Sequence, residues 1–107
     1  MIDNPVVETA YGPVRGIDDG MAMAWKGIRY AAPPLGGLRF RAPQPPQPWT
    51  EPVDATEFGT VCPQPPVPNF PMNLGARPDE DCLRLNVWAP SGTAPGDAKP
   101  VMVWVHG

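Results

Sequence analysis

The stretch EDCLRLNVWAP (residues 80–90), followed by PVMVWVHG (residues 100–107), decides how the chain is read. In the first, Leu83, Leu85 and Val87 fall on one side of an extended backbone. Arg84, Asn86 and Trp88 fall on the other. This period of two, closed by Pro90 and the loop SGTAPGD, predicts a β-strand. The second stretch is apolar at every position from Val101 to Val105. Both of its faces call for cover, as in the interior of a sheet packed on two sides, so a buried strand is expected there. It ends in His106 and Gly107.

These residues carry a resemblance. EDCLRLNVWAP resembles the EDCLYLN signature of type-B carboxylesterases and cholinesterases, which have the α/β-hydrolase fold. PVMVWVHG is similar, up to its first glycine, to the buried strand that leads into His-Gly-Gly-Gly in that family. GPVRG (12–16), WKGIRYAAPPLGGLRF (25–40), PW (48–49) and GTVCPQ (59–64) resemble its N-terminal blocks, in the same order. The resemblance runs from residue 6 to residue 107. It implies that residues 1–107 are the N-terminal part of one such domain. The expected architecture is a small antiparallel β-sheet, proline-rich loops and the first strands of the central sheet of an α/β-hydrolase fold.

The resemblance also implies an activity. Members hydrolyse carboxylic esters with a serine in a G-x-S-x-G elbow, a histidine and an acid. No G-x-S-x-G occurs in these 107 residues. The only serine, Ser91, lies in the polar loop, and the only histidine, His106, belongs to the strand end. The implied triad therefore lies beyond this chain, and the chain alone is expected to be inactive. His106 and Gly107 are implied as the start of the oxyanion loop, with His106 as its support. The implied substrate is a small-molecule carboxylic ester, with no cofactor. The remainder of the hydrolase domain is the implied structural partner. Two other readings stand beside this one. The first is a non-catalytic, cholinesterase-like binding domain, which a downstream G-x-S-x-G would exclude. The second is a complete small binding module, disfavoured because domains rarely end on an unpaired apolar strand.

Cys62 and Cys82 are the only cysteines. Two thiols without nearby histidine supply too few ligands for a metal site, and neither has a base beside it for catalysis. The residues leave two readings open, a disulfide or a pair of buried free thiols as a reducing compartment would favour. The resemblance implies the disulfide, worth about 3 kcal/mol for a loop of this length in the chain-entropy model. It places the enclosed proline-rich loop, Phe70 included, in the wall of the active-site gorge. It also implies an ion pair between Arg39 and Glu80, partly buried and suited to the planar guanidinium fork. From sequence alone these two read as solvated surface charges. The acids Asp79, Glu80 and Asp81 point in different directions on an extended chain, so capping and salt bridging suit them better than a metal cage. Three positions depart from the family pattern. Trp25 stands where phenylalanine is usual, Arg29 where proline is usual, and Arg84 where tyrosine is usual.

The rest of the chain fits one small domain at most. Its 18 prolines and 11 glycines are high for 107 residues, but they cluster between apolar runs without repeating. Residues 6–9 and 14–17 read as a hairpin about the Gly12-Pro13 turn. Asp18-Asp19-Gly20 turns the chain into a third strand in which Met21, Met23 and Trp25 alternate with smaller or polar residues. Pro33-Pro34 excludes helix and Gly36-Gly37 bends the chain. Trp49, between prolines, reads as a packing anchor in preference to a ligand-stacking ring. Residues 54–58 are expected to make one helical turn. Net charge is −3 with no basic stripe, which gives nucleic acid no electrostatic foothold. No apolar run has the length of a membrane span, so no membrane partner is expected. The start, MIDNPVVET, lacks the pattern of a signal peptide and points to the cytoplasm, with secretion open to a start further upstream.

Overall fold

A computed structural model of the chain describes residues 4–107. Met1–Asp3, part of the stretch examined for a leader, lie outside the described residues. Six strands occur among the described residues: β1 (Val6–Glu8), β2 (Pro13–Arg15), β3 (Ile17–Asp18), β4 (Ala22–Arg29), β5 (Val53–Asp54) and β6 (Arg84–Pro90), with a 3-10 turn at Gly36–Leu38. They form two three-stranded sheets, ordered β1-β2-β5 and β3-β4-β6.

The expected hairpin is present, with β1 and β2 paired antiparallel. Thr9 fastens its turn, since its hydroxyl donates to the Gly12 carbonyl at 2.7 Å and accepts from the Gly12 N–H at 3.2 Å. The single small sheet expected for the first three strands is not what forms. Residues 13–18 run through both sheets, and the exchange happens at Gly16. Its N–H donates to the Pro5 carbonyl at 2.8 Å. A side chain there would collide with the Ala24 carbonyl and the Trp25 ring. That close approach of backbone to backbone lets β2 leave one sheet and β3 join the other.

The helical turn expected over residues 54–58 does not form, and Val53–Asp54 is a short strand instead. It pairs parallel with β2, Val14 opposite Val53 and Arg15 opposite Asp54. The pairing continues into Ala55, whose N–H donates to Arg15 and whose carbonyl accepts from Lys26, both at 2.7 Å. A helix would withdraw those backbone groups from the seam. Ala55 thus stitches the two sheets together, and it is buried for that reason. Around it packs a small core of Val14, Met23 and Trp25, with Ile28, Trp49 and Ala89 against it. Trp49 is the packing anchor its position suggested. Its indole N–H donates to the Pro13 carbonyl at 2.7 Å and its backbone N–H to Tyr11 at 2.8 Å.

The longest pairing is between β4 and β6, antiparallel from Ala22 opposite Pro90 to Arg29 opposite Arg84, with a bulge between Trp25 and Ile28. Gly27 makes the bulge with φ of 72°. Its freed N–H donates to the Asn86 side-chain oxygen at 2.9 Å. An asparagine of the signature block thereby satisfies a donor that the irregular ladder leaves over. The alternation read in residues 80–90 is real, but most of β6 is solvent-exposed. Val101–Val105, whose cover was expected from the remainder of the hydrolase domain, is neither paired nor buried within this chain. Among the described residues no backbone pairs with it, and its side chains are 79–92% exposed.

The bulge gives a stability test. A Cβ on Gly27 would sit 2.8 Å from the Gly59 backbone nitrogen, in addition to the positive φ. Gly20 also has a positive φ, of 92°, but faces open space. Gly20→Ala is expected to cost about 1 kcal/mol of backbone strain and Gly27→Ala about 2–3 kcal/mol, read from urea unfolding midpoints. Equal losses would remove the close approach from the explanation.

Candidate functional site

The chemistry-bearing residues gather where β4 and β6 end together. Arg29 and Arg84 are directly opposite in the ladder. Two like charges so placed repel. The chain resolves this with Asp81, three residues before Arg84. Arg29 Nε donates to Asp81 Oδ1 at 3.1 Å, and its Nη2 donates to Oδ2. Arg84 Nη2 reaches the same Oδ2 at 3.2 Å. Arg84 also donates to the Gly27 carbonyl at 3.0 Å and to the Thr60 hydroxyl oxygen at 3.2 Å. The Thr60 hydroxyl in turn donates to the Asp81 carbonyl. The Asp81 carboxylate therefore ties β4 to β6, and its backbone carbonyl, with Arg84, adds the segment before Cys62 through Thr60. The Arg29 hydrogen bond, with further attraction from both guanidinium groups, holds the Asp81 carboxyl below the usual carboxylate range, while burial opposes this more weakly. Asp81 in return holds the Arg29 guanidinium above its ordinary value.

Two of the three family departures, Arg29 and Arg84, are thus partners in one network that motif reading does not reveal. The signal was available in part. An acid three residues from one arginine, with a second arginine directly across the ladder, is a bridging pattern once the register is known. The three consecutive acids diverge as alternation requires. Asp79 accepts from Arg77 at 3.1 Å and from the Asp81 N–H at 2.9 Å. Glu80 turns to Arg39, 2.9 Å away. No group of acids, cysteines or histidine among the described residues could hold a metal ion.

The Arg39–Glu80 contact is more open than a partly buried pair. The two side chains are 60% and 47% exposed, so water screens them. Arg39 ends the glycine-rich turn at the surface, where its guanidinium meets only the exposed Phe40 ring among the described aromatic residues, 5.3 Å from the ring centroid. Cys62 and Cys82 are joined by a disulfide, with Cα atoms 5.1 Å apart. Phe70 lies on the enclosed loop, exposed, in a turn closed by its own N–H to the Val67 carbonyl at 3.2 Å. Ser91 is engaged elsewhere, its hydroxyl 2.8 Å from both Asp18 carboxylate oxygens. Among the described residues the His106 ring's hydrogen-bond partner is the Gly107 oxygen, at 2.9 Å. Serine and histidine are therefore not assembled into a nucleophile and base. Beside the network, an apolar cavity of about 340 Å³ lies between Ile28, Pro33, Pro46, Trp49 and Val53. It contains no nucleophile and no histidine.

Comparison with known proteins places this arrangement. The profile described as "Carboxylesterase family" matches residues 3–107. The chain is 46% identical over 103 residues to the para-nitrobenzyl esterase of Bacillus subtilis (strain 168), covering 95% of this chain and 21% of that protein. It is 41% identical to the phenmedipham hydrolase of Pseudarthrobacter oxydans, covering 100% of this chain and 22% of that protein. Among solved structures, a thermophilic PNB esterase superposes with a TM-score of 0.83 at 47% identity, over 95% of this chain and 21% of that one. The chain thus spans about a fifth of the length of the relatives it matches.

The unequal exposure of the two ion pairs predicts unequal losses. Arg39→Ala and Glu80→Ala are each expected to cost about 0–1 kcal/mol. Asp81→Asn is expected to cost about 1.5–3 kcal/mol, since it strips charge-assisted bonds from two arginines at once. The pH dependence follows from the lowered Asp81 value. The carboxylate stabilises the fold above the ordinary carboxylate range, and that contribution is lost as pH falls through the depressed value. The native chain should lose stability in acid more steeply than Asp81→Asn. Parallel urea midpoints against pH would refute the assignment.

Proposed function

The chain belongs to the carboxylesterase family, matched over residues 3–107, and we propose from this that it is the N-terminal segment of an enzyme that hydrolyses small carboxylic esters. Its fold is the N-terminal portion of an α/β hydrolase, with small sheets and few helical turns. The observation that carries the proposal is the continuous match along nearly the whole chain to named esterases and hydrolases. The names of those relatives favour a catalytic protein over a binding domain.

In this reading the segment supplies scaffold to a site completed by the remainder of the hydrolase domain. A serine there attacks the ester carbonyl, and a histidine takes its proton and returns it to the leaving alcohol. His106 and Gly107 lead into the oxyanion loop, where backbone N–H groups meet the developing negative charge. The disulfide loop forms part of the substrate wall. The exposed Phe70 ring is its natural contact for an apolar acyl or alcohol group. Arg39 and Glu80 tie the glycine-rich turn to the start of the signature strand.

The test uses two proteins. The 107-residue chain alone is expected to give no turnover of a short-chain aryl ester above buffer. A protein carrying this segment at the full length of its relatives is expected to turn the ester over and to lose that activity to a serine-directed covalent inhibitor. Inhibitor-sensitive turnover by the short chain would overturn the placement of the triad. A folded full-length protein without turnover would overturn the esterase reading.

A further inference from the structure

We propose that the loop of residues 63–77 has two independent latches at its root, and that the ionic latch keeps the root closed when the disulfide is reduced. The covalent latch is Cys62–Cys82. The ionic latch is Asp81 held between Arg29 and Arg84, with Thr60 joining it on the other side of the root. These groups anchor the root to β4 and β6, and none of their bonds passes through either sulfur.

The backbone shows the same division. Val61 and Pro78 form a parallel bridge at the root. The Val61 N–H donates to the Arg77 carbonyl at 3.0 Å, and the Asp79 N–H donates to the Val61 carbonyl at 2.9 Å. Beyond the root the hydrogen bonds among the described residues are local, from Phe70 to Val67 and from Gly75 to Asn73. The loop body is therefore positioned by its root. A disulfide acts largely by limiting the unfolded chain, so cutting it leaves native contacts at the root in place. The covalent latch responds to thiols, whereas the ionic latch does not.

Backbone amide exchange of Val61 and Asp79 in the full chain reads the root directly. Dithiothreitol at neutral pH cleaves the S–S bond to two thiols and is itself oxidised to a cyclic disulfide. In the native chain, reduction is expected to speed exchange at both amides by no more than about threefold. Arg29→Gln, a change at an accessible strand end, is expected to be equally mild while oxidised. Reduced Arg29→Gln is expected to exchange about tenfold faster or more, beyond the product of the single effects. Asp81→Asn repeats the comparison from the other side of the bridge. Exchange rising tenfold on reduction of the native chain would show that the disulfide is the sole latch. Reduced Arg29→Gln behaving like the reduced native chain would show that the bridge is no latch.

Discussion

The pairing of Ala22–Arg29 with Arg84–Pro90 is the constraint from which most of the structure follows. Its two strands lie more than 50 residues apart, so the intervening chain must leave and return. Closing so long a loop costs entropy that grows only with the logarithm of its length, and the ladder must repay it. The returning chain crosses the first sheet on the way. There it contributes Val53–Asp54 to β2 and the two backbone bonds of Ala55 to the seam. The ladder also creates its own difficulty by setting Arg29 opposite Arg84. Asp81 converts that repulsion into a bridge, and the bridge fixes the root of the disulfide loop.

The features legible in sequence were those with a local cause. Alternation identified the strand in residues 80–90, and Gly12-Pro13 identified the hairpin turn. Trp49 among prolines announced an anchor. The exchange of sheets at Gly16 was hidden because strand periodicity passes through that glycine without a break. The pairing of Val53 with Val14 was hidden for a different reason. A two-residue strand has no pattern of its own, and its partner lies far away in sequence, so local propensity suggested a turn of helix. The run Val101–Val105 was legible in a different sense. Its composition states what the run needs, namely cover on both faces, and the described residues contain nothing that lies over it.

At the candidate site, motif resemblance and physical reading reached different residues. Resemblance singled out Cys62, Cys82, Arg39 and Glu80. It treated Arg29 and Arg84 only as departures from the family pattern. The geometry reverses that weighting. Arg39 and Glu80 are open to water, while Arg84 and Asp81 are each only about a fifth exposed and share charge-assisted bonds. Only register could have revealed this, because the two arginines become neighbours through the bulge at Gly27, and a ladder without that bulge would pair them differently.

A loop held only at its root must keep that root closed through changes in its surroundings. The segment does so with contacts of unlike kind around one point. A covalent bond joins Cys62 to Cys82, charge holds Asp81, and backbone hydrogen bonds join Val61 to Arg77 and Asp79. Reductant acts on the first, acid on the second, and neither acts directly on the third. Contacts with a shared weakness would fail together, and contacts without one fail singly. The substitution of arginine at two positions where the family pattern has proline and tyrosine therefore adds a restraint to the same root the disulfide holds. It changes what the loop depends on and leaves where the loop sits to the ladder beneath it.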